Sequence, residues 1–202
     1  MEIEFLGLSC FLIKSTGEEG REIKVLIDPF FEESKEKPHL LEADILILSQ
    51  DKATSQVKGT PFLIKGPGEY EIGGIFVQGI GVGESIIYLI EGEGITLCHL
   101  NSLAKGDVGS DLLERAGSVD ILMVPVGGNL GPERAGEIIS QIEPKIVLPM
   151  DYKIAGLKKK KGQLGDFLKA FGVEEPETLK KLKIKGGRLS EETKVIILSP
   201  PG

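Results

Sequence analysis

Tryptophan is absent from this chain of 202 residues, and histidine and cysteine occur only twice each. The side chains that most often build zinc centres are therefore nearly missing. Neither Cys10 nor Cys98 belongs to a C-x-x-C pair, and the sequence opens MEIEFLG without a basic, apolar leader. Both features point to a cytoplasmic protein with reduced thiols. No uninterrupted apolar stretch approaches the roughly 20 residues of a membrane-spanning helix. Positive charge is also short: 24 Lys+Arg face 31 Asp+Glu, for a net charge of -7. That balance excludes a general nucleic-acid or anionic-membrane binder, since both need a positive field. Asn and Gln number only two and five beside plentiful Lys and Glu, a mix that leans toward a thermophilic source.

What is abundant is glycine, at 27 residues with 11 prolines, which calls for many short elements and tight turns. Hydrophobic residues make up 41% and charged residues 27%, the balance of a globular chain with one sizeable core. The first half is a series of short β-type runs: Ile3–Leu6, Cys10–Ile13, Ile23–Ile27, Ile45–Leu48, Phe62–Ile64, Ile75–Val77, Ile86–Ile90 and Ile95–Cys98. The runs at 45–48, 121–124 and 146–148 are unbroken rather than alternating, so these strands are covered on both faces. Helices to cover them are predicted at Asp107–Ala116, Pro132–Ile142 and Leu164–Phe171, with Gly117 and Gly172 closing the first and the third. A last strand is expected at Val195–Leu198. Nothing in composition divides the chain, so residues 1–202 read as a single domain. The lysine run at Lys158–Lys161 reads as a solvated loop, with a docking patch for a phosphate or acidic partner as the alternative.

Polar turns after apolar strands are where layered folds gather their sites. Five stand out: 26–30, 48–56, 99–103, 125–129 and 149–153. His39 lies in a charged loop and reads as a surface residue. His99 ends the strand ITLCH, where a structural hydrogen bond and a functional role are both open. Cys98 and His99 are adjacent on a strand and point to opposite faces, so they cannot share one ion without a bulge. Ser9, Ser49, Ser55 and Ser102 are turn serines, none in a G-x-S-x-G elbow. GPGEYEIGG at 66–74 precedes no helix and reads as turns flanking a short strand rather than a phosphate cradle.

The blocks FLGLSCFLI, VLIDPF, ADILILSQDKATS, GPGEYEIGGIFVQGI, GITLCHLNSL, VDILMVPVGG and PKIVLPMDY resemble, in order and spacing, those of the metallo-β-lactamase superfamily. The resemblance is to its small Zn-dependent hydrolase or lactamase-B-like branch, related to ascorbate-phosphate lactonases. It covers about Glu2 to Tyr152, with a weaker match at 189–198. It implies an α/β fold, a four-layer αββα sandwich with the site at one edge. It also implies one or two metals held by H-x-H-x-D-H, a further histidine, the aspartate of H-L-G-D and the histidine of P-M-H-Y, which activate a water for hydrolysis.

The ligand positions differ here. H-x-H-x-D-H reads Gln50, Asp51, Lys52, Ala53, Thr54, Ser55; H-L-G-D reads His99, Leu100, Asn101, Ser102; and the last histidine is Asp151. A lysine ammonium has no lone pair to offer an ion. The expectation is therefore the family's fold without its metal or any other cofactor. Asp28, Gln50, Asp51, Lys52, Thr54, Ser55, His99, Ser102 and Asp151 would line a vestigial cleft with no catalytic residue. The protein would bind or regulate through a small-molecule or protein ligand, with no nucleic acid or membrane partner, and homo-oligomerisation is left open. The alternative is a hydrolase of ester, lactone or phosphate-containing small molecules, with no metal or with one on Asp28, Asp51, His99 and Asp151. Within the cleft, Lys52 is expected to occupy part of the metal space and pair with Asp151 or Asp28, or else to be exposed.

Overall fold

Alternation along the first strands decides how the layers stack. In the computed structural model, which describes residues 1–29, 41–50, 57–101, 103, 117–155, 160–184 and 189–201, β1 (Glu2–Gly7), β2 (Cys10–Thr16) and β3 (Glu22–Ile27) form an antiparallel meander. β5 (Ile45–Ile47) and β7 (Phe62–Ile64) then add in parallel. With β15 (Leu182–Lys183) on the far side of β1, the first sheet runs β15-β1-β2-β3-β5-β7. Its register aligns Phe5, Phe11, Ile27, Ile47 and Ile64 in one row, and all five are buried in the main core. Side chains one residue out of phase face the other way. There Leu26 and Leu46 join Cys10 and Leu48 in a smaller apolar cluster, against which Leu41, Ala43 and Val57 pack. Leu41 and Val57 come from a two-stranded ribbon of β4 (Leu41–Glu42) and β6 (Val57–Lys58).

The second sheet holds eight strands. β8 (Gly68–Ile72), β9 (Ile75–Val82), β10 (Ser85–Gly92) and β11 (Ile95–His99) are antiparallel neighbours. β12 (Ile121–Pro125), β13 (Ile146–Met150), β16 (Lys194–Leu198) and β14 (Glu177–Leu179) continue in parallel from β11. β5, β12 and β13 are buried at every position, as their unbroken apolar runs require. Helices α1 (Pro132–Ile142) and α2 (Leu164–Phe171) pack on each other, and Ala135, Ile138, Ile139 and Phe167 enter the core. Proline opens α1, and α2 ends on Gly172 in the left-handed region. Both helix spans agree with those expected from sequence, as does the strand inside GPGEYEIGG. The helix expected over 107–116 lies outside the described residues. The molecule is the αββα sandwich of mixed sheets that the sequence led us to expect. Among the described residues no helix is long and apolar enough to cross a membrane.

Candidate functional site

One edge of the sandwich collects the strand ends of both sheets, and its residues are joined by a continuous series of contacts. Asp28 follows β3 directly, with its N–H donating to the Ile47 carbonyl at 3.0 Å and its own φ at +46°. Its carboxylate is buried at 1% exposure. The Ser49 backbone N–H donates to Oδ1 at 2.8 Å, and the Ser49 hydroxyl donates to Oδ2. The negative charge of Asp28 helps to raise the pKa of Tyr88 and of Cys10, though burial is the larger cause for both.

Tyr88 and His99 face each other across β10 and β11 in register, at the end of the rows that line the core. Each reaches over to the first sheet. The Tyr88 hydroxyl donates to the Leu48 carbonyl at 3.1 Å and accepts the Gly66 N–H at 3.3 Å. Its ring needs a glycine beside it: a Cβ on Gly79 would lie 3.1 Å from Tyr88 Cε1 and 2.5 Å from the Gly66 carbonyl oxygen.

His99 is fully buried, edge-on to Phe11 with ring centres 5.9 Å apart. Nε2 lies 3.0 Å from the Ser9 carbonyl oxygen, and Nδ1 lies 3.2 Å from the Asn101 backbone nitrogen. A carbonyl can only accept and an N–H can only donate, so the ring is the neutral Nε2–H tautomer with both nitrogens engaged. Burial lowers its pKa to about 4, and the bond to Ser9 opposes that shift. Asn101 takes the left-handed conformation at φ +51° where the family motif has glycine, and its Nδ2 donates to the Ile86 carbonyl at 3.3 Å. Its Oδ1 is buried without a hydrogen-bond partner among the described residues.

Asp151 follows β13 in the same manner, with φ +57° and its N–H donating to the Leu8 carbonyl at 2.8 Å. The β1–β2 turn at Leu8 and Ser9 thus holds Asp151 and His99 together. The Asp151 carboxylate receives the ammonium of Lys161, which lies 2.5 Å from Oδ1 and 2.7 Å from Oδ2. Only 13% of the lysine side chain and 9% of the aspartate side chain are exposed. Backbone bonds deliver that lysine: Gly162 N–H to the Gly127 carbonyl at 2.8 Å, and Lys153 N–H to the Gly162 carbonyl at 2.9 Å. The glycine pair in PVGGN leaves the room. A Cβ at Gly128 would sit 2.3 Å from Asp151 Oδ2, and one at Gly127 would sit 2.7 Å from Tyr152 Cα.

The sequence-stated expectations for this edge therefore divide. Asp28, His99 and Asp151 lie on it, joined through Ser49, Tyr88 and the Leu8–Ser9 turn. Gln50 follows Ser49, while Asp51, Lys52, Thr54, Ser55 and Ser102 lie outside the described residues, and with them the expected Lys52 pair. The solvated-loop reading of the Lys158–Lys161 run needs correction at its end. Lys160 is exposed, but Lys161 turns inward because Gly162 is pinned to Gly127. Sequence reasoning also passed over Tyr88, whose only signal is one hydroxyl within the apolar strand SIIYLI.

The sequence profile of the beta-lactamase superfamily domain matches residues 2–151. A crystal structure from Thermotoga maritima, described as a candidate Zn-dependent hydrolase of the metallo-beta-lactamase superfamily, is 32% identical with a TM-score of 0.84. The alignment covers 98% of each chain. The chain belongs to the metallo-β-lactamase superfamily. A UPF0173 metal-dependent hydrolase of Thermococcus kodakarensis is 24% identical over 196 residues, covering 75% of this chain and 84% of the relative. The structure of a metallo hydrolase from Ignicoccus hospitalis shares the fold, with a TM-score of 0.62 at 13% identity over 91% of this chain and 99% of the other.

The donors that the described residues offer at this edge do not fit the zinc that metallo-β-lactamase superfamily members hold there. Zinc takes imidazole, thiolate and carboxylate donors. Here the His99 imidazole spends both nitrogens on the backbone. Both thiols are buried, with the Cys98 pKa raised by desolvation to about 12 and that of Cys10 raised as well, so neither is a ready thiolate. The Asp151 carboxylate already holds a cation. Among the described residues no group of three or more His, Cys, Asp or Glu is placed to hold an ion.

Proposed function

We propose that this metallo-hydrolase-fold protein is a binding or regulatory protein that does not carry out metal-dependent hydrolysis, and that its cleft takes a small-molecule or protein ligand. The observation that carries the reading is the state of His99: fully buried, neutral, and bonded through both ring nitrogens to Ser9 and Asn101. A histidine so held supports the two sheets and has no lone pair left for an ion or a proton transfer. The substitutions at Gln50, Lys52, Thr54, Ser55 and Ser102 favour the same conclusion, since they remove the remaining imidazoles and carboxylates of the family motif.

A second reading, hydrolysis of an ester, lactone or phosphate-containing small molecule with a different ion or none, draws support from relatives described as metal-dependent hydrolases. The experiment that separates the two is turnover of lactone, thioester and phosphodiester substrates by purified protein, in chelator and with added Zn²⁺, Mn²⁺ or Mg²⁺. The binding-protein reading expects rates at background in every buffer. Turnover that is lost on substituting Asp28 or Asp151 would establish the hydrolase instead.

A further inference from the structure

We propose that the Lys161 ammonium is a resident cation of the cleft, occupying the position at Asp151 where a divalent ion would otherwise be held, and that it keeps such an ion out. Three observations support this assignment. Asp151 stands at the last family ligand position, and its carboxylate oxygens are 2.5 and 2.7 Å from a single lysine nitrogen. The lysine follows Asp151 by ten residues in the same connection, and the backbone pairing of Gly162 with Gly127 fixes where its chain enters. The space beside the pair is kept by glycine, because a Cβ at Gly128 would overlap the carboxylate and lie 3.9 Å from the ammonium. A contingent surface lysine would need none of this arrangement.

The inference goes beyond the binding-protein reading by assigning a residue and a charge role that the reading does not need. An ammonium set against both oxygens of a carboxylate competes with a divalent ion for them, since it occupies lone pairs on each and the two cations repel. Removing the ammonium while keeping the carboxylate should therefore have two effects. Folding should weaken sharply, because the loss of one partner from a buried pair is far costlier than the loss of both. The freed oxygens should then accept a hard cation of the kind that prefers carboxylate.

The test uses the full chain as wild type, Lys161→Met, Asp151→Asn and the double variant, with urea unfolding in chelator and in millimolar Mn²⁺. In chelator, Lys161→Met is expected to lower the folding equilibrium constant at least about 100-fold, and the double variant to recover most of that loss. Mn²⁺ should raise the unfolding midpoint of Lys161→Met and leave wild type and the double variant unchanged. A single-variant loss below about threefold overturns the proposal, as does a double variant no more stable than Lys161→Met. So does a Mn²⁺ response that is absent from Lys161→Met or equal in wild type. Should Lys161→Met fail to fold in chelator, folding of the double variant supports the pair and its failure overturns it. Metal-free turnover by wild type would sink the binding-protein reading alone and leave these results standing.

Discussion

His99 offers a prediction in which burial, tautomer and pH act on one measurable quantity. In the unfolded chain an imidazole titrates near 6.5, whereas in the fold desolvation lowers His99 to about 4. The folded state therefore binds the proton less readily than the unfolded state. The stabilising contribution is fully present above about pH 6.5 and is lost as the pH falls toward 4. Between pH 7.5 and 5 the two titration curves give a loss of about 2 kcal/mol, most of it below about pH 6.5, where the slope rises toward its limit of about 1.4 kcal/mol per pH unit. Other groups titrate below pH 5, so the comparison needs a reference protein. His99→Gln keeps an amide donor for the Ser9 carbonyl and has no proton to gain. Urea titrations of both proteins at pH 7.5, 6.5, 5.5 and 5.0 should show the wild-type advantage shrinking by about 2 kcal/mol across the series. A stability difference between the two proteins that stays constant with pH would refute the buried, neutral assignment. An advantage that grows on acidification would refute it more strongly, because it would mean that the imidazolium is the favoured form.

Three further outcomes follow from single contacts. Gly128→Ala should destabilise by roughly 1 to 3 kcal/mol in urea, because its methyl falls 2.3 Å from an Asp151 oxygen and the ion pair must move. Tyr88→Phe removes the partner of the Leu48 carbonyl and the Gly66 N–H; it should cost about 1 to 3 kcal/mol in the same assay, and a neutral result would show that the hydroxyl does not join the sheets. Cys10 and Cys98 are buried with raised pKa values, so a thiol reagent at about pH 8 should label neither in the native protein and both in denaturant. Prompt native labelling of either one would contradict its burial.

How far the sequence discloses this molecule depends on the distance over which each signal acts. The runs ILIL, ILMV and IVL identify buried strands because a strand covered on both faces has no polar side, and β5, β12 and β13 are buried throughout. Pro132 and Gly172 mark helix ends through the backbone dihedrals they permit, so α1 and α2 were legible to the residue. β14 and β15 were not, since ETL and LK are short and mostly polar and become strands only by pairing with β16 and β1. The strand-end placement of Asp28, His99 and Asp151 could be read from the turns that follow apolar runs. The Lys161–Asp151 pair could not: its lysine is placed by a bond between Gly127 and Gly162, 35 positions apart, while the local sequence of the run is that of a solvated loop. Likewise, the two bonds that occupy His99 come from backbone atoms, and backbone atoms leave no motif.

Backbone strain shows how this edge is held. Seven residues other than glycine adopt positive φ among the described residues: Glu19, Glu93 and Glu143 in a surface turn, a hairpin and a helix end, and Leu8, Asp28, Asn101 and Asp151 at the candidate site. Each of the latter costs on the order of 1 kcal/mol or more, a cost that persists only where neighbours over-determine the conformation. They do so here. Asp28 is fixed by Ile47 and by both donors of Ser49, Asn101 by its bonds to His99 and Ile86, and Asp151 by Leu8 and Lys161. The same groups connect the sheets, through Tyr88 to Leu48, His99 to Ser9 and Asp151 to Leu8. Ions bound at this edge of the fold would join ligands from loops of both sheets; in this chain hydrogen bonds make that connection, and the Lys161 ammonium holds the Asp151 carboxylate within one of those loops. Among the described residues the strained conformations are therefore held by hydrogen bonds and one ion pair, so on the proposed binding role a ligand contacting Asp28, Asn101 or Asp151 would meet groups already in place and would lose less conformational entropy than one that had to order them.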